Sequence, residues 1–162
     1  MKTLLLLRHA KSSWDNDALA DFSRPLNDRG RHDAPRMGKL ICREDIVPEL
    51  IISSSAKRAM TTAELAALEM SFDGEIRYSD KLYLAEPEAY ITLARQADDQ
   101  INILMLVGHN PGIQELVEAL TGQDEQMSTA ALACIRMPIN RWKDLAAGKR
   151  YELAGFWRPK EL

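Results

Sequence analysis

Thr3-Leu4-Leu5-Leu6-Leu7-Arg8-His9-Ala10-Lys11-Ser12 is an apolar run that stops at an Arg-His pair. Ile101-Asn102-Ile103-Leu104-Met105-Leu106-Val107-Gly108-His109-Asn110-Pro111 ends in the same manner. Short apolar runs bounded by polar residues read as buried strands, so two of the chain's three histidines fall where a buried strand meets the surface. A further run, Glu49 to Ile52, passes into Ser53-Ser54-Ser55-Ala56-Lys57-Arg58 and repeats the arrangement with an arginine.

Helical patterns separate these runs. After the first strand, about Thr3 to Leu7, a long polar stretch runs through Trp14, Asp15, Asn16, Asp17 and Asp21 to Pro25 and has the character of a functional loop. A helix follows and ends near Cys42; Asn27 offers a cap, whereas Pro35 suits a first turn better than an interior one. Ser54 or Ser55 can cap a second helix running to about Met70, and a short strand occupies Glu75 to Tyr78. Pro87 suits the first turn of a helix to about Ala97. Asn110 as cap and Pro111 at the first helical position predict a last helix to about Leu120, followed by strands near Ala131 to Met137 and Tyr151 to Trp157.

Strands alternating with helices imply parallel pairing through right-handed crossovers. The expected fold is a single three-layer α/β/α domain over residues 1–162, with a mostly parallel central sheet and helices on both faces. Ligands bind outside the carboxyl ends of the strands in such folds. If the runs ending at Leu7, Ile52 and Val107 are neighbours, Arg8, His9, Arg58 and His109 meet on one edge although about fifty residues separate the Arg8-His9 pair from Arg58 and Arg58 from His109.

At 162 residues, 46% hydrophobic and 28% charged, the chain has room for one core and no second domain. A net charge of −3 argues against a general nucleic-acid or membrane-surface binder, so an anion site must be local. No apolar stretch approaches the roughly 20 residues of a membrane span, and the N-terminal run lacks a signal-peptide cleavage pattern; a cytoplasmic protein is expected. Cys42 and Cys134 are isolated and read as buried small side chains. No HExxH or comparable spacing suggests a metal, and the arginines beside the histidines would repel a cation.

Two arginines offer planar donor forks that suit phosphoryl oxygens, and the helices beginning near Ser55 and Asn110 can add N-terminal amides. A histidine in such a pocket can be a nucleophile if its imidazole is neutral, and nearby arginines favour the neutral form.

LLLLRHAKSSW at the first strand, SRPLNDRG from Ser23 to Gly30, SSSAKRAMTTAE from Ser53 to Glu64 and VGHNPG from Val107 to Gly112 resemble the histidine phosphatase superfamily, a phosphoglycerate mutase-like group. The nearest likeness is to its short phosphohistidine phosphatase branch, the SixA type, and it covers nearly the whole chain. The resemblance implies that His9 accepts the phosphoryl group, that Arg8, Arg58 and His109 hold it, and that Arg24 adds a fifth contact. Ser12 and Glu86 are the further substrate contacts expected, and no cofactor is implied. Ala10 stands where the superfamily motif most often has glycine, which implies that no left-handed backbone is needed there.

A general acid has no clear counterpart. Glu86 and Glu88 lie in the region where related enzymes carry one, without a matching motif. In phosphohistidine the leaving imidazole is protonated on its own ring, so a protein acid contributes less. The expected substrate therefore bears phosphate, such as a histidine-phosphorylated signalling protein; the alternatives are a small-molecule phosphomonoesterase or a non-catalytic phospho-ligand binding module. A mutase is disfavoured by the chain's short length. Trp14 reads equally as a lid over the pocket or a cover for the core edge. His32, among Arg29, Arg31 and Arg36, reads as a solvated helix face that could also dock an acidic partner.

Overall fold

A computed structural model describes all 162 residues. Six strands form one sheet: β1 (Lys2–Arg8), β2 (Leu50–Ser54), β3 (Glu75–Ser79), β4 (Ile103–Gly108), β5 (Leu132–Met137) and β6 (Glu152–Trp157). Four helices connect them: α1 (Asp28–Arg43), α2 (Lys57–Glu69), α3 (Pro87–Arg95) and α4 (Gly112–Thr121). The strand order is β3-β2-β4-β1-β5-β6. β3, β2, β4 and β1 pair in parallel, whereas β5 and β6 are antiparallel additions.

The alternation of β1 divides the core. Leu5 and Leu7 pack with Met37, Ile41 and Ala63 beneath α1 and α2, while Leu4 and Leu6 pack with Tyr90, Ile113 and Leu116 beneath α3 and α4. Burial on both faces explains why β1 and β4 read as continuous apolar runs rather than alternating ones. The architecture is the expected three-layer α/β/α domain. No helix is long and apolar enough to cross a membrane.

Several local expectations are corrected. Asn27 does cap α1, accepting the Gly30 amide at 2.9 Å, but Pro35 lies inside that helix. One lost backbone bond is tolerated in a 16-residue helix packed against α2, where a Cβ on Gly38 would come within 2.4 Å of the Ala66 carbonyl. Neither Ser54 nor Ser55 caps α2, whose N-cap is Ala56; the Ser55 hydroxyl bonds Asp80 instead. Asn110 does not cap α4; Pro111 does, after a cis Asn110-Pro111 bond. Cys42 is exposed, because it lies on the outer face of α1, whereas Cys134 is buried as expected.

Candidate active site

Parallel pairing sets Arg8 opposite Gly108, so His9 and His109 follow matching positions of neighbouring strands. Their ring centroids lie 5.1 Å apart. The adjacent pairing of Ser53 with Val107 brings the end of β2 alongside, and α2 then delivers Arg58. The order β2-β4-β1 thus gathers Arg8, His9, Arg58 and His109 at one sheet edge. His9, His109 and Arg58 are 6%, 1% and 5% exposed, so they work largely outside bulk water.

His9 is oriented from both sides. Its amide donates to Gly108 O at 3.0 Å, and its Nδ1 lies 2.7 Å from Ala10 O. A carbonyl only accepts, so the proton of the neutral ring sits on Nδ1 and the lone pair on Nε2 is free to attack. Burial lowers the His9 pKa to about 3; the Ala10 carbonyl opposes this, and the charges of His109, Arg58 and Arg8 add to it. The Ala10 amide donates to Thr62 Oγ1 at 2.9 Å, and that hydroxyl donates to Arg58 O at 2.7 Å, which ties the turn after β1 to α2. Ala10 needs no left-handed backbone, as its side chain implied, whereas Ala130 adopts one (φ 62°) and its amide spans the Arg8 and His9 carbonyls.

Burial, then Arg58, lower the His109 pKa to about 4. Its amide donates to the Tyr90 hydroxyl at 3.1 Å, an approach that requires Gly108, where a Cβ would lie 2.0 Å from that oxygen. His109 Nε2 is 2.8 Å from Ser54 Oγ, which accepts the Ala56 amide. With the hydroxyl proton directed to Nε2, His109 presents an Nδ1–H donor, and Nδ1 has no protein partner.

Arg8 and Arg58 are held by backbone carbonyls. Arg8 Nη1 donates to Met127 O at 3.0 Å. Asn110 Nδ2 donates to the same oxygen at 2.9 Å, and the Met127 amide donates to Gln114 Oε1 at 2.8 Å. Arg58 Nη1 donates to Asp21 O at 2.7 Å and Nη2 to Asp21 Oδ2 at 3.0 Å. The Tyr83 hydroxyl donates to the same Oδ2 at 2.5 Å. Tyr83, then Arg58, hold the Asp21 carboxyl below its ordinary range, against the opposing effect of partial burial.

The remaining expected contacts differ in placement. Arg24 stacks over Trp14, 3.9 Å from the ring centroid, with Nε and Nη1 buried and unpartnered. Trp14 is therefore neither lid nor core cover: it is 59% exposed beneath that guanidinium. Ser12 is buried in a bridge with Leu26. Glu86 is the exposed N-cap of α3 and makes no side-chain cap bond; Glu88 is also exposed. Arg8 Nε and His109 Nδ1 are buried donor positions without acceptors. An anion with several oxygens supplies what such positions lack.

The model of the histidine phosphatase superfamily (branch 1) matches residues 4–83. A candidate SixA phosphohistidine phosphatase from Agrobacterium tumefaciens is 31% identical, covers 98% of both chains and superposes with a TM-score of 0.83. The chain belongs to the histidine phosphatase superfamily, in its SixA-type branch. The fold recurs in the protein histidine phosphatase SixA bound to tungstate, with a TM-score of 0.82 at 18% identity over 98% of both chains. An uncharacterised Mycobacterium tuberculosis protein is 29% identical over 95% of this chain and its own full length. As a member of this superfamily, the chain is a phosphatase.

Sequence reasoning about this histidine phosphatase missed Asp21, Tyr83, Ser54, Thr62, Gln114 and the Met127 carbonyl. Asp21 was visible only as one of several acids in a polar loop. Its selection depends on Arg58, 37 residues away. The basic face of α1 is partly neutralised by its own acids: Arg29 and Arg36 pair with Asp33 at 3.5 Å, and Arg31 pairs with Asp28. His32 is exposed, as expected.

Proposed function

We propose that this histidine phosphatase hydrolyses phosphohistidine through a covalent phosphohistidine on its own His9. The observation that carries the reading is the Nδ1 contact of His9 with Ala10 O, which leaves a neutral Nε2 nucleophile among Arg8, Arg58 and His109. In the first step Nε2 bonds to phosphorus in line, the donor P–N bond breaks, and its electron pair returns to the donor imidazole, which departs neutral because its other ring nitrogen already carries a proton. Arg8, Arg58 and the Nδ1–H of His109 stabilise the equatorial oxygens. Arg24, Ser12 and Glu86 are the further substrate contacts of this reading. Water then releases phosphate from His9, and the chain acts as one catalytic unit over residues 1–162.

A nitrogen leaving group suits this site better than an alkoxide. Glu86 and Glu88 are exposed and unengaged, and the carboxyl joined to the site, Asp21, is held in its ionised form and lacks a proton to give. An open groove of about 680 Å³, lined by Lys57 and Met60 of α2 and by Leu19, Phe22 and Pro25 of the loop after β1, is where this reading seats the protein that carries the phosphohistidine. The expected partner is thus a histidine-phosphorylated signalling protein of the cytoplasm.

His9→Ala should abolish both turnover and the acid-labile, base-stable label left by a radioactive phosphohistidine donor. Label or turnover in that variant would remove His9 from the role. Faster turnover of small alkyl phosphates than of a phosphohistidine protein would favour a phosphomonoesterase, and binding without any transfer a non-catalytic module.

A further inference from the structure

We propose that Asp21 is the general base of the second half-reaction, taking the proton of the water that attacks phospho-His9. The inference rests on the covalent reading above. In this step the water oxygen bonds to phosphorus, the P–Nε2 bond breaks and its electron pair returns to His9. The water proton passes to the Asp21 carboxylate and from there to solvent.

The other groups of the site are unsuited to that proton. His9 Nε2 carries the phosphoryl group. His109 Nε2 is engaged by Ser54, and its Nδ1 carries the ring proton, so His109 has no free lone pair. Tyr83 donates its own proton to Asp21, and burial raises its pKa. Arginines hold none to exchange. Asp21 is the carboxylate hydrogen-bonded into the set: its Oδ2 receives Arg58 Nη2 and the Tyr83 hydroxyl, while its backbone carbonyl receives Arg58 Nη1.

Arg58 thereby serves the phosphoryl group and the base together, which fixes the carboxylate at the rim of the pocket. The side chain of Asp21 is 43% exposed, whereas that of Arg58 is 6% exposed. That gradient gives the carboxylate access to water from outside and a fixed anchor within. The phenol edge of Tyr83, 5.5 Å from the His109 ring, closes the same side. The charged and titratable groups acting on the carboxylate are Tyr83 after β3, Arg58 of α2 and His109 after β4.

Asp21→Asn separates the half-reactions. Mixed rapidly with free phosphohistidine, this variant should label His9 in a burst close to that of the wild type. The phospho-enzyme should then decay on the order of 10²-fold more slowly, the lower range of general-base effects. Wild-type decay should slow in acid as the carboxylate protonates, and decay of the variant should not. Asp21→Glu should restore part of the rate. Decay at the wild-type rate overturns the proposal and leaves the His9 nucleophile intact. A burst and decay lost in parallel, with weakened binding of inorganic phosphate, also overturns it, since that is the signature of merely positioning Arg58. Absence of any label on wild-type His9 overturns both readings.

Discussion

Acid should destabilise this protein through His9, and the effect can be isolated. The ring is buried and its folded-state pKa is about 3, against 6.5 for an exposed histidine. Between those values the unfolded chain binds a proton that the folded chain refuses, so stability is intact above 6.5 and falls as pH drops below it. At about pH 5 the cost is 1.5 pH units at 1.36 kcal/mol each, or about 2 kcal/mol; at about pH 7.5 it is nearly zero. His9→Gln removes the titrating ring and keeps a polar group. Urea unfolding at the two pH values should therefore show the wild type losing about 2 kcal/mol more than the variant, which cancels every other titrating group from the comparison. Parallel losses in the two proteins would show that His9 is not held neutral by burial, and the tautomer argument for its nucleophilicity would lose its premise.

Two further perturbations test the scaffold of the site. Gln114→Leu leaves the buried Met127 amide without its acceptor and frees the carbonyl that orients Arg8. Stability should fall by about 1–3 kcal/mol in urea unfolding, and inorganic phosphate should inhibit more weakly; unchanged inhibition would separate Met127 from Arg8 function. Gly30→Ala would put a Cβ 2.2 Å from Lys11 O, on the turn after His9. We expect a cost of about 1–3 kcal/mol from overpacking together with slower turnover, and a variant that unfolds and turns over like the wild type would show that this turn yields freely.

β1, β2 and β4 were legible because each is short, apolar and buried on both faces. β1 was expected as Thr3 to Leu7 and spans Lys2–Arg8. Helix starts were less legible. A serine or asparagine before a helix is a local signal, but Ser54 serves His109 and Asn110 serves Met127, and these long-range bonds claim the side chains before any cap can. Pro35 misled for a related reason: packing of α1 on α2 carries a helix through a residue that local propensity would exclude.

The same distinction divides the active site by chemical task. The groups proposed to hold the phosphoryl anion sit at the ends of parallel strands or in the first turn of a helix, so an apolar run passing into Arg or His announces them: Arg8, His9, Arg58 and His109 all follow that pattern. A group that moves a proton needs partial access to water, so it belongs on a loop, where acids are common and none is marked by periodicity. Asp15, Asp17 and Asp21 look alike in sequence; only Asp21 meets Arg58 and Tyr83, both more than thirty-five residues away. The proposed phosphoryl recognition is thus encoded by the pattern of the sheet. Proton handling is encoded by contacts that exist only after the sheet has formed, which is why the burst and decay phases of Asp21→Asn, rather than its steady-state rate, are the measurements that decide the role of this loop.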